Sequence, residues 1–312
     1  MSRLFALLAV LSGCAGVSPA QLRARQYAAL ARGDVLEGVR LGRARVSLEP
    51  TEPGPRYDLA CALARAGDGG AALTVLREAV ELGFDAPGAL TRDADLASLR
   101  ELPGFAAIVQ RAAELARDGV PVAGVRAEVR GGLRVRLPLE GRPRRLALWL
   151  HPFGARLNGE IERLAPVLIA RGYALAVPVE LWAPGWGEAE LRRLFEEELP
   201  RLSPLVDVDR PLLIGLSAGS HASLASWARA PERFAGVLAT GCAPELHGAV
   251  LPAADGPIVV INGADDPATV AWRRELPRWQ SEGRRVRLEV LPGRGHEFVL
   301  DAATLARALD AF

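Results

Sequence analysis

Residues 211–219 read PLLIGLSAG, and this stretch decides the fold of the second half of the chain. The apolar run before Gly215 is typical of a buried β-strand. Ser217 is flanked by Gly215 and Gly219, and glycine at both positions removes side chains that would clash in a sharp turn from strand to helix. Such a turn holds the serine hydroxyl above the sheet edge, where the first amides of the next helix also point. The stretch therefore predicts a strand, a tight turn that presents Ser217, and a helix; the alternative is a glycine-rich turn without chemistry.

Strand and helix patterns alternate on both sides of this stretch. Residues 125–130 and 133–139 alternate in polarity around Gly131-Gly132, which predicts an antiparallel hairpin. Further strands are predicted over residues 145–150, 174–179, 211–216, 236–240, 258–262 and 287–291, and helices over residues 160–171, 188–199, 218–229, 269–281 and 302–312. This order predicts an α/β fold over residues 124–312, a mostly parallel sheet with helices on both faces. In such sheets the reactive residues collect at the carboxyl ends of the strands.

A serine hydroxyl needs a general base to act as a nucleophile near neutral pH. The chain has four histidines, His151, His221, His247 and His296. The Gly-x-Ser-x-Gly turn in its strand–helix setting resembles the α/β-hydrolase family. That resemblance implies the chain order serine, acid, histidine, with the histidine on a loop after the last strand, where His296 lies. His221 is expected to pack on the helix after the serine, and His247 could contact substrate.

The acid is expected directly after strand 258–262, where residues 262–267 read NGADDP. The family usually places it three residues after the glycine, which selects Asp266. Its neighbour Asp265 is the alternative and is expected to cap the loop or face solvent. The resemblance implies that Asp266 orients His296 and stabilises its protonated form. Ser217, Asp266 and His296 are therefore the candidate catalytic triad.

The resemblance also implies an oxyanion hole made by two backbone amides. One is the amide of Ala218, the residue after the serine. The other is expected in the loop after strand 145–150, where His151-Pro152-Phe153-Gly154 is similar to the family's His-Gly-x-Gly motif. Proline has no amide hydrogen, so the donor is the amide of Phe153, with Gly154 as the alternative. His151 is expected to brace this loop.

The substrate pocket is less defined by the sequence. About sixteen residues lie between Thr240 and Pro257, too few for a helical lid, which predicts an open site suited to short acyl esters or the end of a polymer. Trp182 and Trp186 are candidate pocket residues that either form an apolar wall or pack under their loop. His247 is a further pocket candidate. Arg156 could reach the mouth of the site as well, but a surface charge is the default interpretation.

The preceding residues predict an all-α domain over residues 20–118. Gly33-Asp34 recurs 34 residues later as Gly67-Asp68, each pair between two segments of helical period: residues 21–31 and 36–48, then 57–66 and 71–82. Glycine permits the turn that ends the first helix, and aspartate caps the second. Period and content resemble tetratricopeptide (TPR) repeats, and residues 84–117 add a further helical stretch. The resemblance implies a groove for a peptide or partner protein; the alternative is a helical prop that binds nothing.

The first 14 residues predict export. The apolar stretch of residues 4–11 is too short to span a membrane and reads as part of a signal peptide. Residues 11–14, LSGC, resemble a bacterial lipoprotein signal, which implies lipidation at Cys14 and anchoring in a membrane. Ala15 stands where the family's inner-membrane signal has aspartate, which favours the outer membrane. The alternative is a plain signal peptide.

Composition excludes several classes of protein. The net charge is +1, and all 38 basic residues are arginine, so the strongly basic face of a nucleic-acid binder is not expected. Three cysteines are too few for a disulfide scaffold, and no nucleotide-binding or metal-ligand motif is present, so neither a cofactor nor a metal is expected. We therefore expect an exported serine hydrolase of carboxylic esters; the alternatives are a peptidase or amidase of the same fold and a catalytically idle scaffold.

Overall fold

The structure, a computed structural model, describes residues 17–245 and 256–312. The predicted signal and lipidation site, residues 1–14 with Cys14, and the pocket candidate His247 lie outside the described residues. Among the described residues, those up to 112 together with 293–295 form one compact unit, and residues from 113 onward without 293–295 form the other.

The first unit is helical. It begins with four helices: α1 (Pro19–Ala31), α2 (Val35–Leu48), α3 (Pro53–Arg65) and α4 (Gly69–Glu81). A short helix α5 (Pro87–Arg92) and a 3₁₀-helix (Ala94–Leu99) follow, and the next helix, α6 (Phe105–Asp118), begins in this unit. Small and medium apolar side chains are buried between the helices, in keeping with the predicted helical segments.

The same turn joins both pairs of helices. Gly33 and Gly67 each have φ of +79°, in the left-handed region that favours glycine. The side chain of Asp34 accepts a hydrogen bond from the Glu37 amide (3.2 Å), and Asp68 accepts one from the Ala71 amide (3.1 Å). The predicted glycine turns and aspartate caps are confirmed at both positions.

The second unit is built on one eight-stranded sheet. Its strands are β1 (Val125–Arg130), β2 (Leu133–Pro138), β3 (Arg145–Leu150), β4 (Tyr173–Pro178), β5 (Leu212–Leu216), β6 (Gly236–Thr240), β7 (Ile258–Gly263) and β8 (Val286–Leu291). Their order is β1-β2-β4-β3-β5-β6-β7-β8. The pairs β1–β2 and β2–β4 are antiparallel, and all other pairs are parallel. The predicted mostly parallel sheet with an antiparallel start is confirmed.

Helices cover both faces of this sheet. They are α7 (Asn158–Glu162), α8 (Ala165–Ala170), α9 (Glu188–Arg192), α10 (Ala218–Arg229), α11 (Pro267–Ser281) and α12 (Ala302–Leu309). One core packs strand residues such as Leu148 against α10 and α11, and the other packs Trp149 and its neighbours against α7, α8 and α12. Successive side chains of a strand point to opposite faces, so β3 contributes to both cores.

Two predicted helices differ from the structure. The single helix predicted over residues 160–171 is wrong: α7 ends at Glu162 and α8 begins at Ala165. Pro166 has no amide hydrogen to donate back to the preceding turn, and it therefore lies in the first turn of a new helix. The helix predicted over residues 188–199 stays α-helical only to Arg192, then widens into a π-helical turn (Arg193–Glu198) and tightens into a 3₁₀-turn (Leu199–Leu202). None of the helices in the described ranges has both the length and the apolar character needed to cross a membrane.

Candidate active site

The turn between β5 and α10 holds Ser217 in a strained conformation. Ser217 has φ of +53° and ψ of −116°, a region that residues other than glycine seldom adopt. A Cβ atom at Gly215 would lie 2.5 Å from the backbone of Gly219 and Ser220, and one at Gly219 would overlap the Leu150 carbonyl group. Both glycines are therefore required by close backbone contacts, as the sequence predicted.

Residues at the end of β6 fix this turn. The Ser217 amide donates to the Thr240 carbonyl (2.9 Å), and the Thr240 hydroxyl donates to the Gly215 carbonyl (2.8 Å). The buried Ser220 hydroxyl donates to the Thr240 carbonyl and accepts from the Thr240 amide, both at 2.8 Å. Strain of this kind persists only where the surroundings determine the conformation, and these four bonds do so.

His296 joins the serine to the acid. Its Nε2 lies 3.0 Å from Ser217 Oγ, and its Nδ1 lies 3.0 Å from Asp266 Oδ2. A carboxylate only accepts hydrogen bonds, so Nδ1 carries the proton and Nε2 of the neutral ring accepts from the serine hydroxyl. The structure thus brings Ser217, His296 and Asp266 into one hydrogen-bonded chain.

The environment of Asp266 keeps its carboxylate ionised. The side chain is 2% exposed and caps the N-terminus of α11, where Oδ1 accepts from the Ala268 amide (2.9 Å). Burial raises the pKa of Asp266, but the hydrogen bonds from His296 and the Ala268 amide outweigh it and leave the pKa below its usual range. Asp265 is exposed. Of the two candidate acids, the structure places Asp266 on His296.

A hydrogen-bond network holds the Cys242 carbonyl, next to the glycine that approaches His296. The Asn262 side chain donates to the Cys242 carbonyl (3.1 Å), and the Trp272 indole donates to the same oxygen (2.7 Å). Next to it, Gly241 has φ of +55°, and a Cβ atom there would lie 3.5 Å from the His296 ring. Sequence reasoning missed these residues because nothing in their local pattern signals a contact with the site.

The loop after β3 lies beside the serine turn. The close approach of Gly219 to the Leu150 and His151 carbonyls places this loop against the start of α10. The Gly154 amide donates to the Pro184 carbonyl (2.7 Å), so it is occupied. Of the two amides predicted as alternative oxyanion donors in this loop, that of Gly154 therefore already has an acceptor.

Aromatic side chains pack behind the same loop. The Trp186 indole donates to the His151 carbonyl (2.8 Å), and the two rings lie 4.5 Å apart. His151 is buried, its Nδ1 lies 2.8 Å from the Pro152 carbonyl, and burial lowers its pKa. Trp182 packs edge-on against Trp186. Both tryptophans are half-buried and pack against the core, and Trp186 holds the loop through the His151 carbonyl.

His221 is the remaining histidine among the described residues. It lies on α10, and its Nδ1 is 3.3 Å from the Glu245 carbonyl. Within residues 17–245 and 256–312, no three His, Cys, Asp or Glu side chains form a group that could hold a metal ion.

The sheet order and the central strand–serine–helix turn define the class of fold. An eight-stranded, mostly parallel sheet with this strand order and with helices on both faces fits the α/β-hydrolase arrangement. No family model matches the sequence, and no curated protein does.

Solved structures similar to this chain include hydrolases and esterases. One is a dienelactone hydrolase from Anabaena variabilis, with 23% identity over 60% of this chain and 95% of that chain and a TM-score of 0.45. Another is esterase B from Lactobacillus rhamnosis, with 18% identity over 66% of this chain and 93% of that chain and a TM-score of 0.46. An uncharacterized protein from Bacillus cereus covers more of the chain, with 16% identity over 93% of this chain and 96% of that chain and a TM-score of 0.42.

Proposed function

We propose that this protein is a serine hydrolase that cleaves carboxylic esters through an acyl-enzyme. The observation that carries the proposal is the position of His296, within 3.0 Å of both Ser217 Oγ and Asp266 Oδ2. A hydroxyl, an imidazole and a buried carboxylate in this order are the groups that nucleophilic acyl transfer requires.

In the first half of the reaction, Ser217 Oγ attacks the ester carbonyl carbon while His296 Nε2 takes the hydroxyl proton. The carbonyl oxygen becomes an oxyanion, which the amides of Ala218 and Phe153 stabilise. The C–O bond to the alcohol then breaks, and His296 gives its proton to the leaving alkoxide. Asp266 holds the ring in the required tautomer and stabilises the imidazolium.

In the second half, water attacks the acyl group on Ser217. His296 removes a proton from the water, and the same amides stabilise the second oxyanion. When the bond to Ser217 Oγ breaks, His296 returns the proton to the serine and the carboxylic acid leaves. Each oxyanion donor in such sites lowers the barrier by about 2.7–4 kcal/mol.

We propose short acyl esters, or an ester at the end of a polymer, as the substrate class. The Phe153 side chain is 71% exposed beside the proposed oxyanion donor, so it offers apolar surface to an acyl or alcohol group. The few residues between Thr240 and Pro257 leave little chain for a lid. Both features favour a small or terminal ester over a long chain that must be enclosed.

A fluorophosphonate probe tests the proposal directly, because it reacts only with an activated serine. The wild type should be labelled at Ser217, and Ser217→Ala should not be labelled. Ser281→Ala is the matched control, since Ser281 is an exposed serine at the end of α11, and it should label like the wild type. Absence of labelling in the wild type would contradict the proposal and favour a catalytically idle scaffold.

Turnover assays separate an esterase from an amidase. Chromogenic acetyl and butyryl esters, each with its matched amide, should show hydrolysis of the esters at the higher kcat/KM. Ser217→Ala should lower kcat by about 10⁴-fold or more. Hydrolysis of the amides alone would contradict the ester assignment and support a peptidase or amidase on the same residues.

For location and partners, we propose an exported protein anchored to the outer membrane through lipidated Cys14. We also propose that the first unit is a TPR-like module for a peptide or protein partner. The sequence of residues 11–14 supports the first proposal, and the repeated glycine–aspartate turn supports the second. Labelled palmitate should be incorporated into the wild type and not into Cys14→Ser; no incorporation into either would contradict the lipid anchor.

A further inference from the structure

Arg156 is buried, although its position after the loop of His151 and Phe153 reads as a surface charge in the sequence. Arg156 is 9% exposed. It lies in the loop between β3 and α7 (residues 151–157), which we call the β3–α7 loop. Burying a guanidinium group is costly unless its N–H groups are hydrogen-bonded, so a buried arginine needs acceptors nearby. The surface-charge interpretation is therefore wrong.

The side chain of Arg156 reaches two backbone carbonyls outside its own loop. Its Nη1 donates to the carbonyl of Val179, which follows β4, and to the carbonyl of Ala116 in the last turn of α6 (3.3 Å). The backbone of Arg156 is held as well, because its carbonyl accepts from the Trp149 indole on β3 (2.8 Å). One residue thus joins the β3–α7 loop to two fixed points.

These acceptors suit a cation. The last carbonyls of an α-helix have no partner within the helix and lie at the negative end of its dipole. Ala116 is one of them, and it also accepts from Arg134 (3.2 Å). A guanidinium offers five donors in a planar fork, so it can serve acceptors on two elements at once.

The residue after Arg156 shows why such anchoring is needed. Leu157 has φ of +49°, one of three positive values for residues other than glycine in the described part of the chain. Asn158, on its other side, donates to the Pro178 carbonyl (2.7 Å). The anchors of Arg156 and Asn158 therefore flank a strained residue, and such strain persists only when its neighbours hold it.

We infer that Arg156 is a positioning residue for the proposed hydrolase. By tying the β3–α7 loop to Val179 and Ala116, it fixes the direction of the Phe153 amide, which lies three residues earlier. In this role it acts through the oxyanion donor and not on the substrate itself. The inference rests on the proposed function, because an oxyanion donor has meaning only if acyl transfer occurs.

Steady-state kinetics test this role. Arg156→Met keeps the aliphatic stem and removes the donors, so kcat for an acetyl ester should fall by about 10- to 100-fold, the cost of a misplaced group, while KM changes less than about twofold. The oxyanion forms only in the transition state, which explains that split. Arg156→Lys keeps a charge and donors and should recover part of the lost kcat.

Arg136→Met is the matched control. Arg136 is also buried and donates to a nearby carbonyl, that of Val120 (2.7 Å), as well as to Glu162 (2.8 Å), but it lies on β2 and not on the β3–α7 loop. Arg136→Met should lower the melting temperature. Measured well below that temperature, its kcat should equal that of the wild type. An equal loss of kcat in both variants, or kcat within twofold of wild type in Arg156→Met, would overturn the inference.

Amide hydrogen exchange gives a readout that does not need turnover. Arg156→Met should raise exchange in a peptide covering residues 151–157 and leave a peptide covering residues 212–220 unchanged. Unchanged exchange in the first peptide would overturn the inference even if the enzyme is active. If exchange in this peptide differs between wild type and Arg156→Met, but fluorophosphonate does not label the wild type, the result would instead contradict the proposed function.

Discussion

At the residue scale, Asp266 shows how one side chain serves both stability and chemistry. Its Oδ2 faces His296, and its Oδ1 caps α11 through the Ala268 amide. A buried carboxylate is costly, and two hydrogen bonds together with the positive end of a helix offset that cost. The same contacts that orient the imidazole therefore also lower the pKa of the acid.

This lowered pKa predicts an acid-dependent loss of stability. In the folded protein the pKa of Asp266 lies below its ordinary value of about 3.8, so on acidification the unfolded chain takes up the proton first. The stability from Asp266 is complete above about pH 5 and is lost as the pH falls through the folded pKa. Urea unfolding at several pH values should therefore give a shallower decline between about pH 5 and 2 for Asp266→Asn than for the wild type.

Asp265→Asn is the control for that measurement. The exposed Asp265 carboxylate precedes the buried one in the chain, so its replacement changes the same loop and keeps the hydrogen bond between Asp266 and His296. Its decline should follow that of the wild type. A wild-type slope in Asp266→Asn would mean that its contacts do not favour the ionised form.

The sequence predicts positions of single residues better than their partners. The spacing after Gly263 separates Asp266 from Asp265, and the motif around Ser217 locates the strained turn. The sequence does not reveal that the Trp186 indole donates to the His151 carbonyl, or that the Gly154 amide donates to the Pro184 carbonyl. Those contacts join loops that follow β3 and β4, and nothing in either loop alone encodes their separation in space.

At the element scale, charged side chains fix the segment between α6 and β1. Arg134 and Arg136 of β2 both bind the buried Glu162 of α7, at 2.5 and 2.8 Å. Arg134 also donates to the Arg117 carbonyl (3.0 Å), and Arg136 to the Val120 carbonyl (2.7 Å). Removing one partner of such a buried group is expected to be costly, because the other charge is left unpaired.

Gly119 lies beside Arg134 and Glu162, and its replacement is expected to destabilise the fold. It has φ of +79°, and a Cβ atom there would lie 2.6 Å from Arg134 Nε and 2.8 Å from Glu162 Oε2. Gly119→Ala therefore combines backbone strain, about 1–2 kcal/mol, with overpacking, about 1–3 kcal/mol. Chemical denaturation should show a loss of about 2–5 kcal/mol in the free energy of unfolding.

Gly124→Ala separates the two contributions. Gly124 has φ of +72°, and no atom lies within 4 Å of a Cβ atom built on it, so the variant carries the strain without the overlap. Its loss should be about 1–2 kcal/mol. Equal losses in the two variants would show that the arginine side chains move aside at no cost.

The elements themselves follow from local patterns where burial is uniform. The parallel strands β3 to β7 are apolar runs covered on both faces, whereas the edge strand β8 alternates and is only partly buried. The predicted bounds of all six agree with the structure to within about two residues. The break at Pro166 could have been read from the sequence, because proline inside a helical pattern usually ends the preceding helix. The π-helical turn at Arg193–Glu198 carries no such local signal.

At the scale of the whole molecule, the two units differ in their secondary structure. One is helical with a repeated turn, and the other contains the sheet and the three residues of the hydrogen-bonded chain. The 34-residue spacing predicts the repeat from the sequence alone. Alternating strand and helix patterns predict the sheet, but the order of its strands becomes known only from their pairing.

This division predicts that stability and turnover can be separated. Asp68→Ala and Asp34→Ala each remove one helix cap in the first unit, at about 1 kcal/mol each. Both should lower the melting temperature by similar amounts and leave kcat for an acetyl ester unchanged at 25 °C. The measurement is thermal unfolding together with initial rates; a fall in kcat in either variant would contradict the separation.

The choice of arginine around Glu162 has a consequence for replacement by lysine. A guanidinium group presents five N–H donors in a planar fork, whereas an ammonium group is a compact charge at the end of a flexible stem. Arg134 and Arg136 each use that fork to serve a Glu162 oxygen and a backbone carbonyl at the same time. Lysine at either position would keep the charge beside Glu162 but would release the backbone between α6 and β1, so this exchange is not a conservative one here.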